Sequence, residues 1–289
     1  MKQKIRIFEQ KIFEALMILA IILVTGSLIF IIGTVIYKGL PAMSLDMITK
    51  TPKGGFYLGK EGGILNAIIG SFYLGIGSTI LAAILSIHIV IYLHLYAKKN
   101  SAFTQYIRLT LNVMWGIPSI VYGAFGFILM LFIGLKGSLL AGIITVSLVI
   151  LPMMVKAMDE AVKTVSKDLY EALFSLGATR LESSFVIIFK QALPGVLTAM
   201  LISFGRAIGD AAAVIFTTGY TDNIPTSITQ PAATLPLAIF FQLSSPIPEV
   251  RERAYSAALV MTLIILIITQ ATRLLSKRFS KQGIIKKIT

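Results

Sequence analysis

Six apolar stretches constrain this chain more than any motif in it. Each approaches the roughly 20 residues that a helix needs to cross a hydrocarbon core about 30 Å thick. They lie near 14–37, 64–95, 112–135, 138–157, 194–219 and 254–274. Composition points the same way: 56% of residues are hydrophobic and 13% charged, and the mean hydropathy is +0.86, outside the range of an ordinary soluble domain. The expected fold class is therefore all-α, a polytopic membrane protein with six transmembrane helices.

Basic residues beside the stretches set the expected orientation. With the N-terminus inside, the cytoplasmic segments carry 18 Lys and Arg and the external ones seven, so both termini are expected in the cytoplasm. The same bias accounts for most of the net charge of +13, with attraction to anionic membrane lipid as its consequence. No basic run is interleaved with aromatics, which argues against nucleic-acid binding. The organisation expected is a cytoplasmic N-terminus over 1–13, one membrane domain over 14–275 with a cytoplasmic loop at 156–193, and a cytoplasmic tail over 276–289. Lys2, Lys4, Arg6 and Lys11 precede a first apolar stretch too long for a signal-peptide core, so it reads as an uncleaved span.

Several chemistries have no sequence support. The chain has no cysteine, which removes disulfides, thiolate metal sites and cysteine nucleophiles. It contains no GxxxxGK[ST] loop, no His-Glu-x-x-His and no Gly-x-Ser-x-Gly, so no nucleotide site, zinc centre or serine nucleophile is expected. His88 and His94 are six apart, about 240° around a helix, and do not face one metal. A packing or interfacial role is expected for both, and no cofactor or metal. Pro118, inside the third stretch, is expected to kink it, with Gly123 and Gly126 permitting the bend. Lys136 and Gly137 make a tight turn between the third and fourth stretches. The external segment 220–253, with Pro225, Pro231, Pro236, Pro246 and Pro248, is expected to be broken into short pieces.

Two features carry function. Arg206 lies inside the fifth apolar stretch, where a charge at a helix centre costs about 2.5 to 3.5 kcal/mol. A chain tolerates that cost when the charge faces the bundle interior or a water-filled route. Asp210 is one turn beyond and can neutralise it, and a planar guanidinium suits tetrahedral oxyanions. Thr217 and Thr218 are candidate hydroxyl donors near the outer end of the same route. Gly205 and Gly209, four apart, have the small-residue spacing that lets helices approach closely. A buried ion pair that only fixes packing is the competing reading. The second feature is the charged loop 156–193. Apolar residues recur there at Leu169, Ala172, Leu173 and Leu176, one face of a short helix that Gly177 is expected to stop with a positive φ. Such a face needs a partner to cover it.

Glu171, Ala172 and Gly177, in EALFSLG, stand at the spacing of the Glu-Ala-Ala, three residues, Gly signature, and this loop resembles the ATPase-docking loop of ABC-importer permeases. Leu173 replaces the second alanine, and Phe189-Lys190 stands where the family often has Leu-Pro. The likeness extends over nearly the whole chain through PAMSLDMITKTP at 41–52, EGGILNAIIGS at 61–71, WGIPSIVYGAFGF at 115–127, GRAIGDAAAVIFTTG at 205–219 and LPLAIFFQLSSPIPE at 235–249. These blocks resemble phosphate-type permeases, the A-type of the two membrane subunits. Asp210 stands where that family commonly has Glu. The resemblance implies a type I ABC-importer permease fold and a non-catalytic subunit that translocates inorganic phosphate. It implies a second homologous permease beside it, two cytoplasmic ATPase subunits beneath and an extracytoplasmic phosphate-binding protein above. Molybdate, phosphonate or sulfate import, or a passive anion channel, are the alternatives left open by the residues.

Overall fold

A computed structural model describes residues 2–53, 62–98, 101–186 and 191–285. Among them the elements are α1 (Lys2–Gly39), α2 (Leu45–Thr49), α3 (Leu65–Ile91) continuing into a π turn (Tyr92–Tyr96), α4 (Ala102–Gly116) and α5 (Ser119–Phe132). The remainder are α6 (Leu139–Lys163), α7 (Lys167–Ser175), α8 (Arg180–Val186), α9 (Leu193–Ile208), α10 (Leu235–Leu243) and α11 (Pro248–Ile285).

The centre of the bundle is α6 packed along α3, with α9 against both. Its core is Leu74, Ala82 and Val90 of α3, Val146, Ile150, Met154 and Met158 of α6, and Val196, Ala199 and Ala207 of α9. Helix α11 packs on α9 and α10, and α1 packs along α11. There the Ser256 hydroxyl donates to the Gly39 carbonyl at 2.6 Å. Most of α1 is apolar and exposed, as suits a helix whose solvent is lipid or another protein.

Among the described residues the six expected stretches do not appear as six uninterrupted helices. Among those residues four helices are long and apolar enough to cross a membrane, and a fifth is reached only if α4 and α5 count as one. The stretch expected at 112–135 is two helices bent by 102°. Pro118 supplies no N–H and bars its predecessor from helical geometry, so Ile117 is extended at φ −75°, ψ 127° and α4 ends at Gly116. Tyr122 Oη bridges the break by donating to the Met114 carbonyl at 2.8 Å. The stretch expected at 194–219 is helical only to Ile208, and Gly209 to Gly219 continue as turns.

That irregular backbone is bonded by other parts of the chain. Thr217 O accepts from the Ser138 N–H at 2.9 Å, and Gln230 O and Ile228 O accept from the Leu139 and Leu140 N–H groups at 2.8 and 2.7 Å. These carbonyls satisfy donors that the start of α6 would otherwise leave unpaired, while Ser138 Oγ caps the Ala141 N–H. The proline-rich segment turns back into the bundle: Ala232, Ala233, Thr234 and Leu235 are buried, and the Leu235 N–H donates to Ser71 Oγ at 2.8 Å.

Candidate functional site: a broken helix carrying Arg206, and the cytoplasmic loop

Helix α9 forms because Pro194 sits in its first turn and an apolar run follows, and it ends where two residues stop cooperating with it. Gly209 caps it, and Asp210 turns its carboxylate back onto the chain, Oδ1 accepting from the Ala213 N–H at 2.8 Å. Asp210 Oδ2 lies 3.4 Å from Arg206 Nη2, an ion contact without hydrogen-bond alignment. The two side chains meet as their spacing predicts, but Asp210 stands beyond the helix end rather than on its face. Their environments differ sharply: the Asp210 side chain is 2% exposed and that of Arg206 55%. The guanidinium therefore faces away from the packed interior of this subunit, held by an anion that is inside it.

Thr217 and Thr218 are buried, and their hydroxyls donate to the carbonyls of Ala213 and Val214 at 3.0 Å. In this conformation they stabilise the turns between Asp210 and Gly219, and their methyl groups reach neighbouring helices. The glycines that receive this segment lie on α5 and α6. A Cβ at Gly123 would stand 2.8 Å from the Ala213 carbonyl oxygen, one at Gly126 would meet Thr145 Oγ1 at 2.6 Å, and one at Gly142 would collide with the Thr218 methyl. Gly123 and Gly126, read from sequence as bending points, are thus places of close approach. Around Gly205 and Gly209 the chain is looser, the nearest atoms to an added Cβ being Ile268 Cγ2 at 3.9 Å and Gly205 O at 3.5 Å respectively.

The cytoplasmic loop contains two short helices. Ser166 caps α7 through the Asp168 N–H at 3.2 Å, and Gly177 ends it at φ +81°. The Gly177 and Ala178 N–H groups donate to the Phe174 and Leu173 carbonyls at 3.0 and 3.1 Å, the paired bonds of a Schellman motif. Glu171 and Ala172 are exposed on α7, and Leu176 is 84% exposed. The apolar stripe found by periodicity is only partly covered by this chain. Phe189 and Lys190 lie outside the described residues.

Sequence reading passed over two features here. Thr179 and Glu182 form a capping box at the start of α8: the Thr179 N–H and hydroxyl donate to Glu182 Oε2 at 2.8 and 2.7 Å, and the Glu182 N–H donates to Thr179 Oγ1 at 3.2 Å. These bonds to its ionised form hold the Glu182 carboxyl below the usual glutamate range. The Thr-x-x-Glu spacing was the available signal. The other is His94, whose Nε2 lies 2.7 Å from Asp159 Oδ1, across 65 residues, with no local pattern to announce it. His88 is by contrast a local contact, Nδ1 lying 2.7 Å from the Ile84 carbonyl.

Residues 89–281 match the family described as binding-protein-dependent transport system inner membrane component. The phosphate transport system permease protein PstA of Pasteurella multocida is 31% identical over 277 residues, covering 96% of this chain and 97% of the relative. The protein of that name from Haemophilus influenzae is 29% identical, covering 94% and 96%. A probable phosphate transport system permease protein PstA of Methanocaldococcus jannaschii is 32% identical, covering 91% and 92%. Among solved structures, an amino acid ABC transporter aligns with a TM-score of 0.51 at 15% identity, over 74% of this chain and 93% of that one. A bacterial ABC transporter involved in import of the acidic polysaccharide alginate aligns with a TM-score of 0.52 at 16% identity, over 89% and 95%. The shared architecture is the type I ABC-importer permease fold in a multi-pass membrane protein, and this chain belongs to the family of binding-protein-dependent transport system inner-membrane components.

Proposed function

We propose that this chain is a membrane subunit of an ATP-driven importer that carries inorganic phosphate across the cytoplasmic membrane. Relatives named as phosphate transport permeases align over nearly its whole length, and that observation carries the substrate. Family membership implies work alongside other importer components. In finer terms these are a second homologous permease, two cytoplasmic ATPase subunits that hydrolyse the ATP, and an extracytoplasmic phosphate-binding protein. The subunit itself is non-catalytic. Both termini lie in the cytoplasm, with the 1–13 and 276–289 segments flanking one permease domain.

Within this reading Arg206 meets the ion. Its exposed guanidinium offers a planar fork of donors to a tetrahedral oxyanion, and the ion displaces the loose contact with Asp210 as the route opens. A weak site is required, since tight binding would trap the cargo. The buried carboxylate provides that weakness by competing for the same cation. Thr217 and Thr218 border the route by fixing the shape of the 210–219 turns, and Gly205 and Gly209 leave room on the α9 face for the companion subunit. Glu171, Ala172 and Gly177 belong to the surface that meets the ATPase, whose closure moves the loop and re-orients the spans.

Uptake of labelled phosphate into vesicles bearing the assembled complex tests the reading. Arg206→Gln is expected to lower uptake at least about tenfold, the loss of one charge-assisted contact worth roughly 1.5–3 kcal/mol, with assembly retained. Uptake equal to wild type would remove Arg206 from the route.

A further inference from the structure

Asp159 meets three side chains, His94, Arg108 and Lys163, and nothing in the proposed route uses it. It lies near the end of α6, beyond the apolar part of that helix, with its side chain 8% exposed. Two cationic side chains and a histidine converge on it from three elements. His94 Nε2 of the π turn is 2.7 Å from Oδ1, while Lys163 Nζ, one turn on along α6, and Arg108 Nη1 of α4 are 2.7 and 3.4 Å from Oδ2. Helix α4 is tied to α6 a second time by Lys156, whose Nζ lies 4.4 Å from the centre of the Trp115 ring. The cytoplasmic loop joins the same point. Arg180 Nη1, at the start of α8, donates to the Leu95 carbonyl at 3.1 Å, one residue from His94 in the π turn.

We propose that Asp159 is a positioning residue for coupling: its carboxylate fastens α3, α4 and α6 together where Arg180 attaches the cytoplasmic loop, so that movement of the loop reaches all three membrane helices through it. The chemistry favours this. Losing this 8% exposed carboxylate breaks the contacts to His94, Lys163 and Arg108 at once and so unfastens the π turn, α4 and α6 from one another. The π turn it holds is a single widened turn, the irregularity by which helices commonly adjust register at functional sites. A contiguous set of ion pairs and hydrogen bonds between loop and spans is a physical path for coupling, and measurement of coupling is what establishes one.

The inference rests on the importer reading, and its test uses the complete complex of both permeases, ATPases and phosphate-binding protein in lipid vesicles. Two quantities are read: stimulation of ATP hydrolysis by the loaded binding protein, and phosphate imported per ATP. Asp159→Asn is expected to assemble and keep basal hydrolysis while both quantities fall by about 2- to 30-fold. Asp159→Glu is expected to restore them, and Arg180→Gln to lower them in the same direction. The double variant Asp159→Asn with Arg180→Gln is expected to be no worse than the worse single one. A wild-type ratio in Asp159→Asn overturns the proposal, as does a double variant whose loss is the product of the two single losses. If Asp159→Asn fails to assemble, a wild-type ratio in Arg180→Gln overturns it equally. A wild-type complex whose hydrolysis is stimulated but which imports no phosphate would instead sink the substrate reading, and stimulation alone would still decide the role of Asp159.

Discussion

Asp210 both caps the turns that follow the helix bearing Arg206 and pairs with that arginine: one carboxylate oxygen accepts the Ala213 N–H at 2.8 Å while the other lies 3.4 Å from the guanidinium. The two duties separate chemically. Asparagine retains an oxygen for the Ala213 amide and loses the charge, whereas alanine loses both. Asp210→Asn is therefore expected to keep the fold and free Arg206, so that phosphate dissociates more slowly and turnover falls at saturating supply. Asp210→Ala is expected to cost about 1 kcal/mol of stability as well, the usual worth of a capping side chain. Thermal unfolding and uptake kinetics of the two variants check this, and equal unfolding temperatures would refute the capping role.

The glycine bed under the 210–219 turns gives a second expectation. At Gly123 an added methyl would press on the backbone carbonyl of Ala213 at 2.8 Å, and a backbone atom has little freedom to yield. Gly123→Ala is expected to destabilise by about 1–3 kcal/mol, the usual range for overpacking. Gly205→Ala, with its nearest neighbour at 3.9 Å, is expected to leave the isolated subunit as stable as wild type. A thermal shift for Gly205→Ala that appears only in the assembled complex would locate the companion permease on that face.

Gly177 has open space around it, so its requirement is conformational rather than steric. At φ +81° an L-residue is strained, and Gly177→Ala is expected to cost about 1–2 kcal/mol confined to the end of α7. The membrane bundle should be unchanged in thermal unfolding while association with the ATPase weakens. Binding measured in detergent checks this, and undiminished affinity would show that the Schellman turn is dispensable for docking.

The capping box carries a pH dependence. Because the Thr179 bonds depress the Glu182 carboxyl in the folded state, its contribution to α8 is complete above the ordinary glutamate range and is lost as pH falls through the depressed value. Carboxyl titration by solid-state NMR is expected to find Glu182 protonating below the ordinary glutamate range on acidification. Thr179→Ala should return it to that range. Titration of Glu182 within the ordinary glutamate range in the wild-type chain would contradict the capping geometry.

The apolar runs by themselves determined that this chain is a helical membrane protein, since transfer free energy sums along a sequence without regard to what surrounds it. Local chemistry was equally readable: the four-residue spacing of Arg206 and Asp210, the short helix of the loop and the glycine that stops it depend on neighbours in the chain. Tertiary structure alone decided where helices give way. Pro118 marked a kink in sequence but became a 102° break, and the fifth run stopped at Ile208 although its hydropathy continued to Gly219. Irregular backbone survives inside a membrane domain only where other elements bond it, here the first N–H groups of α6, and no sequence window records such partners. Asp159 was hidden for the same reason, because Arg108 and His94 reach it from 51 and 65 residues away and only folding makes them neighbours.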